Sequence, residues 1–343
     1  MPNHRSILPY SPPPATGLCN SPEVSPEIAL LVRACDSNDA YSCFELGYAY
    51  GTGQSVKQDY SKAKSYFEKA CNLNDETGCY NLGIVYYEGG QGVKQDYSKA
   101  KSYFEKACNM NYGNGCLKLG VLYDNGKGVK QDYSKAITYY EKACSMNVAE
   151  GCFNSGHMHE KGQGVKQDYR KAKTYYEKAC NMNDGGGCLN LGNLYDNGEG
   201  VKRDYSKAKT LYEKACNMDE GLGCRDLGVL YDKGKGVKQD YSKAKIYYEK
   251  ACAMNDGGGC HNLGFYYAEG RGVRQDYSQA KTYYEKSCGL NEGYGCNNLG
   301  VLYDKGHGIR QNKTTAKWYY GKACDLGDQT GCNNYRLMNE QGY

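Results

Sequence analysis

The 343 residues carry 43 basic and 39 acidic side chains, for a formal net charge of +4, together with nineteen cysteines and 37 tyrosines. Opposite charges alternate along the chain, as in Lys130-Gln131-Asp132 and Glu141-Lys142, which excludes the clustered basic face of a nucleic-acid binder. No apolar run reaches the length needed to span a bilayer, so a membrane is excluded as well.

All seven prolines lie within residues 1–26, including Pro12-Pro13-Pro14, and the segment reads as extended and disordered. Residues 1–18 lack the continuous apolar core of a signal peptide. Cys19 reads as an odd thiol in a flexible tail.

From residue 27 the chain becomes periodic. Pairs of the form Cys-x7-Cys begin at Cys35, Cys71, Cys108, Cys144, Cys180, Cys216, Cys252, Cys288 and Cys324, 36 residues apart except for one step of 37 after Cys71. A fixed period of this size indicates a solenoid. The extra residue falls in the loop Gly89-Gly90-Gln91-Gly92.

The unit from Cys108 to Cys144 serves for all. Cys116, Leu119, Gly120 and Tyr123 share one face of a short helix A that starts at the cysteine. Gly120 permits close approach of another helix. Asp124-Asn125-Gly126 ends the helix, with Gly126 suited to the left-handed position. Val129 anchors the loop, and Asp132 caps helix B, which presents Tyr133, Ala136, Tyr139 or Tyr140, and Ala143. Eight such units, with helix A at Cys43, Cys79, Cys116, Cys152, Cys188, Cys224, Cys260 and Cys296, form one array over residues 27–338. Glu27–Ala34 reads as a helix B without its helix A, Cys332–Met338 as a helix A without its helix B, and 339–343 as a tail.

Eighteen regularly paired cysteines point to an oxidising compartment, hence to a secreted or periplasmic protein. Zinc would favour cysteines two to four apart with recurrent histidines, and none of the five histidines recurs with the period. No metal and no cofactor is expected. The end of helix B could bond to the next helix A, as Cys108 to Cys116, or to its own helix A, as Cys79 to Cys108. The second scheme orphans Cys35 and Cys332, whereas the first uses all eighteen cysteines. Closing each loop of roughly nine residues then contributes on the order of 2.5 kcal/mol.

At Leu119-Gly120-x-x-Tyr123, Gly126-x-Gly128-Val129 and Asp132-Tyr133-x-x-Ala136-x-x-x-Tyr140-x-Lys142-Ala143, the unit resembles a Sel1-like repeat, a relative of the tetratricopeptide repeat. Its paired cysteines make it similar to the Helicobacter cysteine-rich proteins. The resemblance implies an all-α, right-handed α/α superhelical solenoid of disulfide-bridged hairpins. It also implies binding of β-lactam small molecules with weak β-lactamase activity.

That activity directs attention to Ser-x-x-Lys, present at Ser61–Lys64, Ser98–Lys101, Ser206–Lys209, Ser242–Lys245 and Ser278–Lys281. The Ser-Asp-Asn and Lys-Thr-Gly elements of serine β-lactamases are absent from the chain, so these serines read as solvated first-turn residues. One repeat departs from the pattern: Ser155 and His159 stand where the other full repeats have Leu and Tyr. Their i, i+4 spacing makes them the candidate catalytic pair; the competing reading is a mutually satisfied polar pair. His157 and His159 point to different helix faces and make a poor metal pair. Loops such as Gly198-Glu199-Gly200 are helix stops rather than phosphate cradles.

The recurrent polar position on helix A is the residue before Leu-Gly: Asn81, Asn154, Asn190, Asn262 and Asn298, with Asn334 in the C-terminal cap and Glu45, Lys118 and Asp226 interrupting. A carboxamide both donates and accepts. Helix A lines the concave surface of tetratricopeptide-like superhelices, so this ladder is expected to hold an extended peptide or protein partner against a monomeric array, with tyrosines supplying apolar contacts.

Overall fold

The alternation of short caps, glycine stops and apolar helical stripes produces helices of nearly equal length. The computed structural model describes residues 25–90 and 92–343. The readings made for the proline-rich segment 1–24 and for Cys19 lie outside the described residues. In chain order the helices are α1 (Pro26–Asp36), α2 (Ala40–Thr52), α3 (Tyr60–Asn72), α4 (Glu76–Glu88), α5 (Tyr97–Asn109) and α6 (Gly113–Asn125). There follow α7 (Tyr133–Ser145), α8 (Ala149–Lys161), α9 (Tyr169–Asn181), α10 (Gly185–Asn197), α11 (Tyr205–Cys216) and α12 (Gly221–Lys233). The last six are α13 (Tyr241–Ala253), α14 (Gly257–Glu269), α15 (Tyr277–Gly289), α16 (Gly293–Lys305), α17 (Lys313–Asp325) and α18 (Gln329–Glu340). Even numbers are helices A and odd numbers helices B.

The chain divides into two compact units, one ending at Gln167 and one running from Asp168 to Tyr343. Within each, every helix packs on its neighbours in the chain, most extensively inside the hairpins, such as α6 with α7 and α12 with α13. Helices A also touch the next helix A: α2 meets α4 in the first unit, and α10, α12, α14, α16 and α18 meet in succession in the second.

Helix A starts about a turn earlier than expected, at Gly113 rather than Cys116 in α6. The reason is the turn between repeats, where Asn38, Asn74, Asn111, Asn147, Asn183, Asp219, Asn255 and Asn291 all have φ between 60° and 68°. Asn and Asp tolerate this left-handed conformation better than other side chains. Asp39, Asp75, Asp184, Asp256 and Asp328 then cap the following helix. The array also runs slightly beyond its expected ends. Ser25 caps α1 at Pro26, and α18 extends to Glu340, two residues past Met338.

The expected stops and starts inside the repeat are present. Gly126 adopts φ 66° at the end of α6, and Asp132 Oδ1 accepts the Lys135 backbone N–H at 3.0 Å. The adjacent tyrosines of helix B divide their work. Tyr140 is buried with its ring over Gly120, where a Cβ would lie 2.5 Å from ring carbons. Phe67 lies in the same way on Gly47, Tyr212 on Gly192, Tyr248 on Gly228 and Tyr320 on Gly300. Tyr139 instead stacks on Tyr123, with centroids 5.7 Å apart and planes 8° from parallel.

Nine disulfides join each Cys-x7-Cys pair: Cys35–Cys43, Cys71–Cys79, Cys108–Cys116, Cys144–Cys152, Cys180–Cys188, Cys216–Cys224, Cys252–Cys260, Cys288–Cys296 and Cys324–Cys332. Each closes the turn between a helix B and the next helix A, with Cα atoms 4.4–4.7 Å apart. A lysine strengthens the same junction from one repeat away. Lys106 Nζ donates to the Cys71 carbonyl, Lys214 to Cys180 and Lys286 to Cys252, each at 2.6 Å. A cation there satisfies terminal carbonyls and favours the negative end of the helix dipole.

The glycine contact has a direct test in Gly228→Ala, whose new methyl would sit 2.7 Å from the Tyr248 ring. Overpacking of this kind costs about 1–3 kcal/mol, so thermal denaturation followed by circular dichroism should show a lower midpoint. Gly289→Ala, with nothing within 4 Å, should leave the midpoint unchanged or slightly higher.

Candidate functional site

The residue that follows the second cysteine of each pair is apolar in the first five helices A: Phe44, Tyr80, Leu117, Phe153 and Leu189. It is polar in the last four: Arg225, His261, Asn297 and Asn333. This change of character within one position of the repeat is legible in the sequence, and it marks where the ladder acquires partners. Leu117 and Leu189 are buried among apolar side chains. Of their polar counterparts, His261 and Asn297 bond to the next helix A, Arg225 reaches its cap Asp256, and Asn333 accepts from Gln329 of its own helix.

Asn334 Nδ2 on α18 donates to Asn297 Oδ1 on α16 at 2.9 Å. Asn298 Nδ2 lies 3.0 Å from His261 Nε2 on α14, and His261 Nδ1 lies 3.3 Å from Asn262 Oδ1. Because Asn298 Nδ2 can only donate, His261 Nε2 is the acceptor and the ring proton sits on Nδ1; this tautomer follows from the network. Arg225 holds Asp226 through Nε at 3.1 Å and reaches Asp256 through Nη1 at 3.4 Å. Farther along, Asn193 Nδ2 donates to Asn190 Oδ1 at 3.4 Å, while the Tyr212 hydroxyl donates to Asn193 Oδ1 at 2.8 Å. Tyr294, 59% exposed, leans over the His261 ring.

Asn262, Asn298 and Asn334 are thus joined in one half-exposed, hydrogen-bonded polar strip of α14, α16 and α18, while Asn190, half-exposed on α10, bonds to Asn193 of its own helix. Burial lowers the pKa of His261 and raises that of Asp226, as expected for groups removed from water. The first unit differs. Asn154 is half-buried on α8, but Asn81 is fully buried, with Nδ2 donating to the Thr77 carbonyl of its own helix at 2.9 Å. Asn81 is therefore buried within its unit and does not join a partner-facing surface.

The pair Ser155 and His159 is buried, at 0% and 2% exposure. The Ser155 hydroxyl donates to the Gly151 carbonyl at 2.8 Å, a back-bond within its own helix. His159 Nε2 faces Glu141 Oε1 of α7 at 3.1 Å, so the imidazole has an acid that the linear spacing did not reveal. The proton of the hydroxyl is directed to backbone rather than to a base. Nor do the Ser-x-x-Lys lysines suit proton abstraction. Hydrogen bonds to Tyr86, Glu249 and Glu285 hold the pKa of Lys64, Lys245 and Lys281 above the ordinary lysine value, so each ammonium keeps its proton. Among the described residues no group of three or more His, Cys, Asp or Glu is placed to hold a metal ion, and no helix is long and apolar enough to cross a membrane.

The family description "Sel1 repeat" matches residues 40–75, 77–112, 113–148, 149–184, 186–220, 221–256, 258–291 and 293–328. Among solved structures, the chain is similar to a protective antigen of uropathogenic Escherichia coli with an SLR fold, at 28% identity and a TM-score of 0.79 over 92% of this chain and 67% of that one. A Sel1 repeat protein from Oxalobacter formigenes is 30% identical, with a TM-score of 0.65 over 71% of this chain and 98% of its own. Cysteine rich protein B of Helicobacter pylori is 40% identical over 40% of this chain and 97% of its own, with a TM-score of 0.32. No curated protein matches.

Two outcomes follow from this geometry. With the folded pKa of His261 below the unfolded value of about 6.5, the unfolded chain takes up its proton first on acidification. The contribution of His261 is complete above pH 6.5 and is lost as pH falls below it, so the thermal midpoint should drop between pH 7 and 5, and less so in His261→Gln. Ser155→Ala should leave nitrocefin turnover at the level of the parent protein, since the buried hydroxyl has no route to substrate; a selective loss of turnover would place the serine in a reactive site.

Proposed function

We propose that this chain, which belongs to the Sel1 repeat family and shares the paired cysteines of the Helicobacter cysteine-rich proteins, binds an extended polypeptide along the helix-A face of its second unit. The observation that supports this reading is the helix-A face from Asn190 to Asn334, where His261 meets Asn298, Asn297 meets Asn334 and Arg225 reaches the cap of the next helix A at Asp256, with further bonds within α10 and α14. Successive half-exposed donors and acceptors suit the alternating N–H and C=O groups of an extended backbone. Their bonds to one another hold the side chains in place, which lowers the entropy lost on binding. Tyr294 offers a rigid apolar platform beside the strip.

On this reading helix A forms the concave side of the second unit; the nine disulfides support an oxidising compartment, and with it a secreted or periplasmic location. A β-lactam role has no comparable support: the unusual serine is buried, and the lysines next to the repeated serines are held protonated.

The test uses a short peptide selected from a random library on the oxidised protein. The double substitution Asn190→Ala and Asn262→Ala should weaken binding roughly tenfold, at about 1 kcal/mol or less for each hydrogen-bonding carboxamide, with the helical circular dichroism preserved. Affinity equal to that of the parent protein would exclude the strip as the peptide site.

A further inference from the structure

The structure sorts charges that alternate in the sequence. In the repeats around Tyr86 and Tyr123, the loop from helix A to helix B and the first turn of helix B gather lysines on one edge. The packing that creates this edge starts from a glycine: Gly128 has φ 68°, and a Cβ on it would lie 2.5 Å from Tyr97 Cβ, at the first residue of the preceding helix B. The loop of one repeat is thereby pressed against the start of helix B of the repeat before, and a cleft opens beside the contact.

Two such clefts occupy equivalent positions in the first unit. One, of about 590 Å³, is lined by Ser61, Lys64 and Ser65 of α3, by Tyr86 of α4, and by Lys94 and Lys99. The next, of about 780 Å³, is lined by Ser98, Lys101 and Ser102 of α5, by Tyr123 of α6, and by Lys130 and Lys135. Each brings three ammonium groups together with one lining carboxylate, Asp96 or Asp132; in the second cleft Lys135 pairs with Asp132 at 3.8 Å and Lys101 with Glu105 of its own helix at 3.3 Å. The lining carboxylate has an oxygen committed to capping helix B. The second unit repeats the arrangement around Tyr231, where Lys243 lies over the ring at 5.3 Å.

We propose that this lysine edge binds a linear sulfated polysaccharide, with sulfate groups seated among the lysines of successive clefts and sugar hydroxyls meeting the serines. A polymer fits better than a single anion, because equivalent clefts follow one another from repeat to repeat. A sugar fits better than a nucleic-acid base, because the cleft tyrosine offers no open face for stacking. Tyr86 is covered by Tyr103 at 5.7 Å with near-parallel planes, and Lys64 and Lys99 lie over the same ring at 5.5 and 5.1 Å. Single-stranded nucleic acid relies on such open faces, whereas sulfate groups need only cations and hydroxyl donors.

The experiment measures binding of a heparin oligosaccharide to the full-length, disulfide-intact protein by isothermal titration at several salt concentrations. The parent protein should bind with an affinity that falls linearly with salt on a log–log plot. The variant Lys94→Gln, Lys99→Gln, Lys130→Gln and Lys135→Gln, which alters only exposed side chains, should bind at least tenfold more weakly with a shallower salt dependence. The double variant Asn190→Ala, Asn262→Ala should bind as the parent does. Absence of heparin binding, or equal binding by the lysine variant, would overturn the proposal. Equal displacement by inorganic sulfate at matched sulfate concentration would reduce the edge to a simple anion site. Tighter binding of a single-stranded oligonucleotide would replace the sugar with nucleic acid.

Discussion

The contact on which the repeats depend is an aromatic ring laid flat on a glycine in the middle of helix A. Gly120 under Tyr140, Gly228 under Tyr248 and Gly300 under Tyr320 leave no room for a methyl group, so the two helices of a hairpin approach more closely than ordinary side chains allow. The close approach fixes the next layer of structure. It turns the neighbouring tyrosine outward, where Tyr139 stacks on Tyr123 and Tyr247 on Tyr231. Helix B can then be polar on its outer side without losing its hold on helix A.

Between repeats the constraint is different. A left-handed asparagine or aspartate turns the chain, and a disulfide clamps the turn. A lysine from the following helix B caps carbonyls that the finished helix leaves unpaired. Two local constraints and one bond from the next repeat therefore act at one junction of about nine residues. The disulfide contributes mainly by limiting the unfolded chain, while the lysine and the asparagine act on the folded turn. This division explains how short helices, each too small to be stable alone, form a continuous array in each unit.

The same scaffold separates two kinds of surface. The helix-A face of the second unit carries a bonded strip of neutral and paired polar groups, suited to reading a backbone. The edge made by the A-to-B loops gathers more ammonium groups than carboxylates around covered tyrosines, the arrangement on which the polyanion proposal rests. Neither surface needs a change in the repeat's packing, because both are built from positions that the glycine, the ring and the cysteines leave free to vary.

Much of this could be read from the chain itself. The period, the hairpin in each repeat, the glycine stop at Gly126, the Asp132 cap and the Cys-x7-Cys pairs all rest on interactions within a few residues, and local chemistry is written in local sequence. What the tertiary structure decided involves residues one repeat or more apart. The linear spacing left Tyr139 and Tyr140 equivalent, and only packing put one on Gly120 and the other on Tyr123. Asn81 and Asn298 are the same residue at the same repeat position, yet one is closed over and the other bonds to His261, because burial depends on what the neighbouring helix A presents. Ser155 and His159 are correctly spaced on a helix, but the backbone carbonyl of Gly151 and the carboxylate of Glu141 take the bonds they would have made with each other. The sorting of charge onto one edge likewise depends on how one repeat's loop seats against the previous helix B, a contact that no stretch of sequence contains.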